Sequence, residues 1–94
     1  MSKLFLSGHI VVPENEVEMI CNALPLHISL TRKEAGCLKF EVRQRDNAPC
    51  IFDVYEEFIS KEAFEYHQKR VKESAWGKLS VNVERNYSIS EFSE

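Results

Sequence analysis

From its third residue the chain alternates. Leu4, Leu6, Ile10 and Val12 share one parity, with Gly8 between them, while Lys3, Phe5, Ser7, His9 and Val11 take the other. A period of two predicts a strand with two unlike faces over residues 3–12. Pro13 ends it, because proline cannot donate to a ladder and suits a helix entrance. The acidic "ENEVE" that follows favours the positive end of a helix dipole. Val17, Ile20, Cys21, Leu24 and Ile28 then recur at helical spacing. Pro25 inside that stripe predicts a kink or a restart, and Lys33 and Gly36 mark the end.

"CLKFEVRQRD" alternates again: Leu38, Phe40 and Val42 point one way, Lys39, Glu41 and Arg43 the other. "NAP" reads as a turn. From Cys50 to Phe58, one face carries Phe52, Val54, Glu56 and Phe58, and the other Ile51, Asp53, Tyr55 and Glu57. The two strands form a hairpin. Ser60 is placed to cap a second helix, whose inward stripe is Phe64, His67, Val71 and Ala75, with Gly77 interrupting near its end. A last strand is expected from Leu79 to Ile89, with Val81, Val83, Arg85 and Tyr87 on one face, and a fraying tail "SEFSE".

The order strand, helix, strand, strand, helix, strand implies an α+β, ferredoxin-like (βαββαβ) fold: one antiparallel sheet with both helices on one face. The other sheet face is left uncovered. It mixes Phe5, Val11, Ile51 and Tyr55 with charged residues, which points to a second copy and a two-fold homodimer.

At 94 residues the expectation is one domain spanning 1–94. A chain this short buries only about 60–65% of its unfolded surface, so pairing would help it. A net charge of -3 argues against nucleic acid or an anionic membrane surface as partner. No apolar run nears the roughly 18–20 residues of a membrane span, and "MSKLFLSGHIVVPENE" has no small-residue cleavage site of a secretory signal. Cys21, Cys37 and Cys50 are odd in number and lack CxxC spacing, which fits reduced thiols packed in a cytoplasmic protein.

No GxGxxG, Walker or GxSxG motif occurs, and His9, His27 and His67 have no ligand spacing, so no nucleotide or metal site is expected. Four residues remain. Glu56 interrupts the apolar row Phe52, Val54, Phe58. An ionised carboxylate there must be bonded or open onto a cavity, where desolvation raises its pKa, unless the strand ends and it pairs with Arg or Lys at the rim. His67, on the helix stripe, is either a satisfied core residue or a group able to exchange a proton near neutrality. His27 follows the proline beside Ile28. Trp76 is core or pocket wall.

"LPLHISLTRKEAGCLKFEV", "FDVYEEFISKEAFEYHQKR" and "SAWGKLSVNVERNYSI" together resemble the antibiotic biosynthesis monooxygenase (ABM) domain family, over nearly the whole chain. The most specific parts are "TRKEAGCLKFEV" at 31–42 and "VYEEFISKEAFEYH" at 54–67. The branch it is similar to includes quinol monooxygenases and enzymes that degrade phosphorylated autoinducer-2. The resemblance implies a dimer with facing sheets and a pocket in each subunit between sheet and helices. Its oxygenase members join a quinol or polycyclic phenol to O2 with no cofactor, neither metal, flavin nor nicotinamide. An electron-rich deprotonated substrate in a dry pocket needs a proton acceptor and aromatic walls. Glu56 matches the carboxylate after the aromatic of the third strand, and His67 the histidine of "AFxxH". His67 would accept the proton, Glu56 orient it or bond substrate, and His27 and Trp76 shape the pocket. The heme-degrading branch relies on an asparagine in its first strand, where this chain offers Ser7 and His9. Two alternatives stand beside the oxygenase: isomerisation or cleavage of a small phosphorylated dicarbonyl, with Lys69, Arg70 and Lys72 near the phosphate, and a small-molecule-binding module without catalysis.

Overall fold

The alternating rows assemble into one four-stranded antiparallel sheet. A computed structural model describes residues 2–93, in the order β1 (Ser2–Val11), a 3-10 turn (Glu14–Glu16), α1 (Val17–Arg32), β2 (Cys37–Arg45), β3 (Ala48–Phe58), α2 (Lys61–Glu73), α3 (Ala75–Leu79) and β4 (Glu84–Ser93). The strand order is β2-β3-β1-β4. The helices lie on one face, the ferredoxin-like arrangement. Leu4, Leu6 and Ile10 of β1 and Phe52, Val54 and Phe58 of β3 are buried beneath them with Ile20 and Phe64. Among the described residues, no helix is long and apolar enough to cross a membrane.

Register carries one polar residue into that layer. Glu56 pairs with Leu6 on one side and Phe40 on the other, so its side chain shares their inward row. Only 6% of it is exposed, which removes the rim alternative.

Local chemistry departs from the alternation in four places. Leu38 is the extra residue of a bulge between Cys37 and Lys39, so Cys37 packs on the core and Leu38 is half-exposed. α1 continues through Pro25, which faces solvent, where water can take the carbonyl freed by the missing N–H. In α1 the inward stripe runs on from Ile20 through His27 and Thr31, whereas Ile28 is only half-buried. The second helix stops at Glu73. Ser74 Oγ accepts from Gly77 N (3.2 Å) and Ser80 Oγ donates to the Trp76 carbonyl (2.6 Å), closing a separate turn, α3. Ala75 is therefore exposed, Leu79 ends a helix, and Val81 is an exposed turn residue. β4 starts only at Glu84 and includes residues 90–93 of the tail expected to fray; Glu94 lies outside the described residues.

Two glycines set the spacing of these layers. Gly8 has φ 154°, and a Cβ there would stand 1.9 Å from the Asn86 carbonyl oxygen, so only glycine lets β1 and β4 approach. At Gly36, a Cβ would meet the Ala63 Cβ at 2.4 Å. The turn after α1 thus lies directly against α2, and the Ile59 amide donates to the Gly36 carbonyl (2.9 Å). Gly36→Ala is expected to cost about 1–3 kcal/mol by overpacking, and Ala63→Gly in the same chain to recover part of it. Urea denaturation of the single and double variants checks this; additive losses would mean that turn and helix part freely.

Candidate functional site

Four segments converge on a buried polar cluster. α1 contributes His27 and Thr31, the turn after it Glu34, β3 Glu56, and α2 His67 and Arg70. His67 stands one turn beyond Phe64 on the same inward face of α2, which is why the helix drives an imidazole into the core. The Gly36 contact brings Glu34 within reach of that helix.

His67 Nδ1 lies 2.9 Å from Glu34 Oε2, and Arg70 Nε donates to the same oxygen at 2.6 Å. Arg70 Nη2 donates to Thr31 Oγ1 at 3.0 Å. The other imidazole nitrogen, Nε2, faces Glu56 Oε1 at 3.7 Å. An ion-paired Glu34 can only accept, so it assigns the proton of a neutral His67 to Nδ1 and leaves a lone pair on Nε2. The cluster therefore reads Glu34 carboxylate, imidazole, Glu56 carboxyl. Phe58 and Phe40 wall the imidazole, with ring centroids 5.0 and 5.7 Å away.

Burial acts on these groups in opposite directions, because it penalises whichever form is charged. It raises Glu56 to about 7, with the negative charge of Glu34 adding to the effect. It lowers His67, against which the Glu34 hydrogen bond pulls upward. It lowers His27 to about 3, helped by His67, Arg70 and Arg85. Tyr87, on β4 beside Gly8, is pushed up to about 12 by burial and then by Glu56. Near neutral pH, Glu56 is the group poised to exchange a proton.

His27 stacks flat on Trp76, with centroids 4.5 Å apart and planes 6° from parallel, and meets Phe40 edge-on at 5.4 Å. Its Nδ1 is buried without a hydrogen-bond partner among the described residues. The two rings form part of the wall of a cavity of about 200 Å³, which Leu26, Leu30, Leu79 and Arg70 also line.

The structure thus brings all four sequence candidates into one region but in two compartments. Glu56 and His67 are enclosed between sheet and helices, whereas His27 and Trp76 border a cavity between α1 and α3. No strand residue lines that cavity, so its place differs from the expected pocket between sheet and helices. The reason is that His67 itself stands over Glu56, and the rings of Phe40, Phe58 and His27 pack around that imidazole. His27 and His67 are 6.4 Å apart between ring centroids, so the compartments share a wall. Arg70, read beside Lys69 and Lys72 as a phosphate ligand, is turned inward and bound; the two lysines are exposed. Glu34 and Thr31 escaped the sequence reading. One signal was available for Glu34: a carboxylate just past the C-terminus of a helix opposes the dipole, so it needs another partner.

The sequence profile of the family described as antibiotic biosynthesis monooxygenase matches residues 9–76. The chain belongs to that family. The matched ABM segment contains His27, Glu34, Glu56, His67, Arg70 and Trp76. A candidate antibiotic biosynthesis monooxygenase from Nitrosomonas europaea superposes with a TM-score of 0.73 at 16% identity, covering 99% of this chain and 89% of that one. Another from Bacteroides thetaiotaomicron gives 0.77 at 15% identity, covering 99% and 89%. A Pseudomonas aeruginosa protein gives 0.73 at 20% identity, covering 100% and 95%. At such identities the likeness speaks for the fold. No curated protein matches the sequence.

The raised Glu56 makes a signed prediction. The unfolded chain releases this proton near its ordinary value of 4.5, while the folded chain holds it to about 7. Between those values the folded state binds more protons, so stability falls as pH rises. Glu56→Gln removes that loss. It is expected to match the native chain near pH 4 and to exceed it by on the order of 3 kcal/mol at pH 8. Urea denaturation at the two pH values decides; a variant equally or less stable at pH 8 would mean that Glu56 is ionised without penalty.

Proposed function

We propose that the chain is a monooxygenase acting on a quinol or a polycyclic phenol, and that it works without a bound cofactor. The observation that carries this reading is the adjacency of two compartments: a cavity bordered by stacked aromatic rings, and behind its wall a carboxyl–imidazole–carboxylate series with one member poised near neutrality. Family membership supports the reaction type.

The substrate lies in the cavity against Trp76, with its hydroxyl toward His27 and Arg70. His67 and Glu56 hold the proton that the hydroxyl gives up. The resulting anion is electron-rich enough to reduce O2. One oxygen atom enters a ring carbon and the other leaves as water, with all four electrons coming from the substrate: a quinol plus O2 becomes a hydroxyquinone plus water. The apolar walls reduce the water beside the intermediate. Oxygen uptake with a panel of reduced quinones, run under ¹⁸O₂, checks this. One labelled atom is expected in the product; no uptake above a protein-free control from pH 6 to 9 sinks it. The phosphorylated dicarbonyl is less well served, because Lys69 and Lys72 are exposed and do not line the cavity, which leaves a phosphate dianion with Arg70 alone. A product of altered skeleton without label would reinstate it.

The working unit of this reading is a cytoplasmic homodimer paired through the open sheet face. Phe5 meets Phe92 edge-on on that face, at 6.5 Å between centroids, and Lys39 Nζ lies 5.5 Å above the Tyr55 ring. Phe92 is 64% exposed in one copy, an aromatic surface that pairing would cover. Light scattering after size exclusion is expected to give twice the chain mass, and Phe92→Glu to halve it. A monomeric native chain at micromolar concentration would end the dimer reading.

A further inference from the structure

Among the described residues, Arg70 is the one cationic side chain in the lining of the cavity between α1 and α3. Its side chain is 23% exposed. Arg70 Nε is spent on Glu34 and Nη2 on Thr31, while Nη1 makes no hydrogen bond among the described residues. A guanidinium is planar, so two anchored nitrogens fix the direction of the third. Around it the lining is mainly hydrocarbon and aromatic: Leu26, Leu30, Leu79 and Trp76. An apolar slot with one fixed donor orients its ligand through that donor. Size constrains it too. An apolar cavity of about 150 Å³ takes up benzene, so about 200 Å³ accommodates one ring with short substituents.

Resting on the reading of this cavity as the substrate seat, we propose that it selects single-ring aromatic anions, the ring against Trp76 and the ionised oxygen accepting from Arg70 Nη1. A quinolate, a phenolate and a carboxylate share this chemistry. Neutral rings of the same size lose the charge-assisted bond, and three-ring phenols exceed the volume. Within the oxygenase reading, the family-level choice between quinols and polycyclic phenols therefore falls on the smaller class. Glu34 keeps its own bonds throughout, because the ligand uses the nitrogen that Glu34 and Thr31 leave free.

Trp76 is the only tryptophan of the chain, so its indole N–H signal in a ¹H–¹⁵N spectrum reports on the cavity wall alone. The native protein is titrated with benzoate, benzyl alcohol and anthracene-9-carboxylate. Benzoate is expected to shift the signal and to bind at least about tenfold more tightly than benzyl alcohol, the difference one charge-assisted hydrogen bond supplies. Anthracene-9-carboxylate is expected to leave the signal unmoved. Arg70→Met should erase the preference; since it also strips Glu34 of a partner, Ala23→Leu serves as the second variant, filling the cavity from α1 without touching that pair, and should weaken benzoate at least about tenfold. Equal affinity for benzoate and benzyl alcohol, binding of the three-ring acid as tight as benzoate, or unchanged binding to Ala23→Leu would each overturn the proposal. Benzoate selectivity with no oxygen turnover would leave it standing and remove the oxygenase; turnover without selectivity would do the reverse.

Discussion

One carboxylate oxygen ties the functional half of this molecule together. Glu34 Oε2 accepts from His67 Nδ1 and from Arg70 Nε, joining the turn after α1 to α2. A carboxylate with 5% of its side chain exposed is tolerable only with such partners. Through it, two other orientations are settled. The imidazole presents Nε2 to Glu56, and the guanidinium, held also by Thr31, is fixed in the wall of the cavity. Removing Glu34 would leave a partly buried cation without its counter-charge and an untethered imidazole, so the site's geometry and its electrostatics depend on the same bond.

The surroundings of that bond are kept neutral by desolvation. The acid Glu56 moves up and the bases His27 and His67 move down from one common cause. Near neutrality the region therefore holds one paired charge, Arg70 with Glu34, among groups that resist ionising. A proton arriving there meets an acceptor whose affinity is close to that of the medium, which suits both taking it and releasing it. The stacked His27, neutral at any working pH, separates the cavity from the proton-holding groups with an imidazole that carries both a donor and an acceptor.

Much of the frame was legible from pattern. β1 and β3 follow from period-two alternation, and the same parity puts Glu56 in the row of Phe52, Val54 and Phe58, with only its depth left to the fold. The Ser60 cap and the 3.6 period placed His67; Ser60 Oγ does accept the Ala63 amide. Misplacements came where a short-range bond outweighed the pattern. The Cys37–Leu38 bulge reversed which of two apolar residues faces the core. The Ser74 and Ser80 hydroxyls closed a separate helical turn where the second helix was expected to end, shifting Trp76 onto its own element, taking in Leu79 and delaying β4. Glu34 and Thr31 were passed over because a turn residue and a hydroxyl on a helix carry no period of their own.

By itself the sequence determined the order of elements, the antiparallel sheet with its helices on one side, and the parity that puts Glu56 and His67 in line with apolar neighbours, leaving open whether Glu56 is enclosed or at the rim. These are consequences of side-chain parity and helical period, which act along the chain. Only the tertiary structure decided which polar groups meet. The Glu34–His67–Arg70 contact spans more than thirty residues, and depends on Gly36 letting a turn rest on Ala63. It also decided where open space is left, between the helices rather than above the sheet. Packing of Phe40, Phe58 and the His27–Trp76 stack sets that volume, and packing is a property of facing surfaces that no single segment encodes.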